Sequence, residues 1–87
     1  MSDDPFVRSA REQISELDRS IFEAVNRRIE LVRELKAYKD EHGISFVDAG
    51  REESMVAEQV GAARGPLSAE GLAGLYRELL ALTKREL

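Results

Sequence analysis

Arg28 interrupts an otherwise apolar series of Ile14, Leu17, Ile21, Ala24, Leu31, Leu35 and Tyr38, whose steps alternate between three and four residues. An arginine in such a seam either pairs with a carboxylate or snorkels past the apolar edge. The chemical alternative is that the seam opens there into a polar cavity for an anion. Lys39 and Arg11 border the same seam, in the heptad column of positions 11, 18, 25, 32 and 39. With a helical rise of about 1.5 Å per residue, Lys39 stands roughly 16 Å beyond Arg28 and Arg11 roughly 25 Å before it. The second distance is too long for one small molecule on one helix. An antiparallel partner whose two-fold axis passes near residue 22 removes the difficulty. It sets Arg11 of the partner subunit between Arg28 and Lys39, and it makes two equivalent sites.

A second group follows in Asp48-Ala49-Gly50-Arg51-Glu52-Glu53. Asp48 can cap a helix whose first turn offers free amides and a positive dipole end, which suits an anion. Arg51 adds a bidentate donor for a carboxylate, and Glu52 can accept from a hydroxyl. Taken singly, each of these charges reads as a solvated surface group. Their combination is what suggests a dicarboxylate site. The chain has no cysteine and a single histidine, His42. Thiolate nucleophiles, disulfides and histidine-based metal sites are therefore not expected, and neither a P-loop nor a glycine-rich dinucleotide fingerprint is present. That inventory can bind an anion but offers little for covalent or acid–base chemistry. It fits a cofactor-free, metal-free reaction driven by conformational selection and charge stabilisation.

The elements that position these groups are legible as helices. Pro5 suits a first turn, and no proline or glycine then occurs until Gly43, which supplies a stop. Some 35 residues of helix result, roughly 50 Å long. A helix of that length cannot bury itself, and its heptad seam calls for a second helix at a shallow angle. Residues 44–50 form a connector. A second helix runs through REESMVAEQVGAA with Met55, Val56 and Val60 as its stripe. ARGPLS carries turn chemistry, and Ser68 caps a third helix bearing Leu72, Leu75, Leu79 and Leu82, with Tyr76 and Leu80 beside them. The expected fold is all-α, three helices in a single domain over residues 1–87.

At 87 residues the chain is small for an independent core. With no disulfide or metal to staple it, oligomerisation is the expected source of further burial. The net charge of −4 argues against nucleic acid or an anionic membrane as partner. No apolar run approaches the roughly 20 residues of a membrane span, and the acidic opening does not read as a secretory signal. Lack of cysteine fits a reducing cytoplasm.

The stretch REQISELDRSIFEAVNRRIELVRELKAYK, followed by VDAGREE and LYRELLALTK, resembles the helical class of chorismate mutases, in particular actinobacterial-type intracellular members. The likeness runs from about Arg8 to the C-terminus. It rests on a set: R-x-x-I-x-x-L-D, then R-R, then a lysine eleven residues after the second arginine, then D-x-x-R-E. It implies an intertwined antiparallel homodimer of three-helix chains that converts chorismate to prephenate in phenylalanine and tyrosine biosynthesis. Arg28 and the partner subunit's Arg11 would bind the substrate carboxylates. Lys39 would donate to the ether oxygen, with Arg28 and Lys39 as the catalytic pair. Arg51 would assist carboxylate binding, Asp48 and Glu52 would position the hydroxyl-bearing ring, and Thr83 falls where the family usually has a serine.

One position departs from the pattern. Many members carry glutamine or glutamate four residues after the serine-like site, where this chain has Leu87; Glu86 is adjacent but about 100° round the helix. Similar losses in actinobacterial-type members accompany activation by the synthase that opens the shikimate pathway, and the same partner is expected here. The same scaffold also serves isochorismate pyruvate lyase and aminodeoxychorismate mutase. A non-catalytic module binding a shikimate-pathway enzyme is the remaining alternative.

Overall fold

The computed structural model describes residues 4–46 and 49–87, with Ala49 described by its backbone alone. The described residues form three helices and no strand: α1 (Pro5–Glu41), α2 (Ala49–Gly61) and α3 (Ala69–Glu86). The long first helix is fixed at both ends by local chemistry. The Asp4 carboxylate accepts from the amides of Phe6 and Val7 at 2.8 and 3.1 Å, and Pro5 occupies the first turn, where its missing N–H costs nothing. At the other end Gly43 turns left-handed with φ 65°. The Ile44 amide then reaches back to the Lys39 carbonyl at 2.8 Å and that of Gly43 to Asp40 at 3.5 Å, a Schellman closure. Ser68 caps α3 by accepting from the Gly71 amide at 2.9 Å. The cap expected of Asp48 lies outside the described residues.

α3 is the element that touches both others. Val56 of α2 is the sole buried apolar residue among those described. Around it Met55, Val60, Leu72, Tyr76 and Leu79 are half-buried, and the Tyr76 hydroxyl points at the Met55 sulfur at 4.0 Å. Two arginines of α1 hold the last turn of α3. Arg28 Nη1 donates to Thr83 Oγ1 at 2.7 Å, and Arg33 Nη2 donates to the Glu86 carbonyl at 2.8 Å. The second contact sets a cation on a helix C-terminus, where unsatisfied carbonyls and the dipole both favour it.

Among the described residues, most of the heptad face of α1 is left uncovered by the rest of the chain. Ile14, Leu17, Ile21, Leu31, Leu35 and Tyr38, all members of the heptad series, are exposed. The radius of gyration is 17.3 Å and the long axis 59 Å, against the roughly 12 Å radius of a closed globule of this length. Leu75 of α3 is also exposed, at 60%, so the leucine repeat is covered only on the side facing α1 and α2. No helix among the described residues is long and apolar enough to cross a membrane.

Candidate active site

The C-terminal half of α1, the first turns of α2 and the last turn of α3 enclose a cleft of about 260 Å³. This is slightly below the usual size range of small-molecule sites, about 300–1,000 Å³. Each helix supplies charged or polar groups to it at helical spacing. α1 contributes Arg28 and Lys39 on either side of Val32 and Leu35, α2 contributes Arg51 and Glu52, and α3 contributes Thr83, Lys84 and Leu87. Four cationic side chains thus accompany one acidic side chain among the described lining residues, in a chain of net charge −4. The local excess of positive charge runs against the overall balance and suits an anion.

Several of these groups are held in place by other parts of the fold. Thr83 is 3% exposed; its hydroxyl accepts from Arg28 and donates to the Leu79 carbonyl at 2.8 Å. Arg28 is further steadied over the Tyr76 ring, its guanidinium carbon 5.9 Å from the centroid. Lys39 Nζ lies 5.9 Å from the centroid of Phe46, which the connector after α1 folds back beside it. Lys84 Nζ and Glu52 Oε1 are 2.7 Å apart, tying α3 to α2 at the cleft. Arg51 Nη1 approaches Glu58 Oε1 at 3.9 Å, one helical face along α2. Apolar Val32, Leu35, Met55 and Leu80 line the remaining wall. They keep water away from part of the cleft and so strengthen electrostatic interactions inside it.

Of the residues singled out in the sequence, Arg28, Lys39, Arg51, Glu52, Thr83 and Leu87 line this one cleft. Asp48 lies outside the described residues. Arg11 is exposed on the opposite half of α1 and does not line the cleft of its own chain. Glu86 also stays outside, its backbone carbonyl taken by Arg33. Sequence reasoning passed over Phe46 and Lys84. Phe46 carries no signal beyond being an aromatic residue after a helix stop. Lys84 is adjacent to Thr83 but 32 residues from Glu52, so no local spacing advertises their pairing.

No curated protein sequence matches the chain. Two solved structures do, both described as chorismate mutase from Thermus thermophilus. Form I is 26% identical with a TM-score of 0.84, over 88% of this chain and 96% of that one. Form II is 25% identical with a TM-score of 0.84, over 91% and 90%. Residues 10–86 match the family model for chorismate mutase type II, which spans all three helices. The chain belongs to the type II chorismate mutase family.

Proposed function

We propose that this protein converts chorismate to prephenate, and that its active form is an antiparallel homodimer with two clefts. The observation that carries the reading is the convergence of Arg28, Lys39 and Arg51 with Glu52 and Thr83 on a single partly apolar cleft, in a chain of this family. The substrate has two carboxylates, a ring hydroxyl and an enolpyruvyl ether, and the cleft has groups of matching chemistry. Arg28 and Arg51 serve the carboxylates as bidentate donors. Glu52 accepts from the hydroxyl. Lys39 opposes the negative charge that develops on the ether oxygen as the carbon–oxygen bond breaks. Such a preorganised charge in a dry site is worth far more than in water.

The rearrangement is pericyclic. It needs the side chain folded over the ring in a chair-like geometry, and holding that geometry supplies much of the acceleration. No protein nucleophile or proton transfer enters. The uncovered heptad face of α1 supports the dimer, and pairing across it delivers the partner subunit's Arg11 to the cleft as a further carboxylate donor. Leu87 occupies the cleft where many relatives carry a polar donor to the ether oxygen. Turnover by the protein alone is therefore slow, and the first synthase of the shikimate pathway is its activating partner.

Loss of chorismate with prephenate identified as the product tests this directly, alongside Lys39→Ala and with isochorismate as a second substrate. Prephenate formation abolished by the substitution supports the reading. Consumption of isochorismate alone replaces it with the lyase. Inactivity on both, with and without the synthase, returns the chain to the binding-module alternative.

A further inference from the structure

Glu52 is the one acidic side chain among the described lining residues of a cleft that suits a dianion. A bare carboxylate there would repel both carboxylates of the ligand. It would also swing freely, since an unanchored glutamate keeps its full rotamer freedom. Lys84 addresses both problems. Its ammonium sits 2.7 Å from Glu52 Oε1, with the two side chains 47% and 29% exposed. The contact reaches from the last turn of α3 to the first turn of α2. A carboxylate has about four acceptor directions, so one ammonium donor leaves Glu52 able to receive a hydroxyl. The backbone around Lys84 is itself anchored, because its neighbour Thr83 is held by Arg28 and the Glu86 carbonyl by Arg33.

We propose that Lys84 is a positioning residue that neutralises and orients Glu52, so that the cleft admits a dicarboxylate while keeping a hydroxyl acceptor. The inference rests on the mutase reading above and adds a residue to it. The ligand's carboxylates are present in both ground and transition states, so relief of repulsion acts on both alike. Its loss therefore appears in KM rather than kcat.

The test measures prephenate formation by the full chain for wild type, Lys84→Met, Lys84→Arg, Glu52→Gln and the double variant Lys84→Met/Glu52→Gln. Methionine keeps much of the length and volume of lysine and removes its charge. Half-exposed ion pairs couple by up to about 1 kcal/mol, which is about fivefold in affinity. We expect Lys84→Met to raise KM about fivefold with kcat within about twofold, and Lys84→Arg to restore it. In the Glu52→Gln background, where no carboxylate remains to neutralise, Lys84→Met should change KM by less than about twofold. Equal losses in both backgrounds would show that Lys84 acts independently of Glu52 and overturn the proposal. So would a KM for Lys84→Met close to that of wild type. A wild-type chain that makes no prephenate, alone or with the synthase, instead removes the mutase reading and the inference resting on it.

Discussion

Replacing Thr83 with valine isolates one hydroxyl at the junction of α1 and α3. The two side chains have nearly the same shape, so the buried volume at this position is preserved. What disappears is the oxygen that accepts from Arg28 at 2.7 Å and donates to the Leu79 carbonyl at 2.8 Å. A hydrogen bond to a charged group is worth about 1.5–3 kcal/mol. Arg28 is only half-buried, so water takes over part of the lost contact and the lower end applies, about 1.5 kcal/mol or roughly tenfold. On the mutase reading that loss falls on kcat/KM, because the guanidinium is then no longer fixed where the substrate carboxylate needs it. Thermal stability should fall by a similar amount, about 1.5 kcal/mol, roughly 6–12 °C in Tm. Steady-state assay of prephenate formation and a melting curve read the two effects. Thr83→Ser, which keeps the oxygen, should stay within about threefold of wild type in kcat/KM. Equal kcat/KM for Thr83→Val and wild type would refute the argument that this hydroxyl positions Arg28.

Ile21→Asp puts a charge on the exposed seam of α1. On the dimeric mutase reading it should shift the sedimentation of the chain from dimer to monomer and abolish turnover, since an unpaired charge in an apolar interface costs several kcal/mol. Gly43→Val tests the α1 stop: a Cβ there meets nothing within 4 Å but φ is +65°. The penalty is therefore backbone strain of about 1–3 kcal/mol, read as a lowered Tm with kcat nearly unchanged. Leu87→Gln supplies an amide donor at the cleft wall. On the mutase reading it should raise kcat of the isolated protein by about tenfold or more, given what a single well-placed oxyanion donor contributes, and unchanged turnover would refute the role proposed for Leu87.

The helices were legible because their signals are local. Pro5, Gly43 and Ser68 each act within a turn of their own position, and the structure starts or stops a helix at each. The heptad series of α1 marked an unburied face just as directly. Arg28 stood out in the sequence because it violates that series, and Thr83 through the family resemblance. The Arg28–Thr83 contact spans 55 residues, and only the packing of α3 on α1 creates it. The same holds for Lys84 with Glu52 and for Phe46 beside Lys39. These pairings depend on how three helices cross, a property with no period or motif in one sequence.

The uncovered length of α1 also bears on how activity responds to supply. A chain with so little burial of its own draws stability from association, so on the dimeric reading folding and assembly obey one concentration-dependent equilibrium. Below the dissociation constant of the dimer, the working species grows as the square of chain concentration. Halving synthesis would then cut catalytic capacity about fourfold rather than twofold. Above that constant the response becomes proportional. On that reading the long uncovered helix acts as a threshold on gene dosage, silencing the reaction when the protein is scarce.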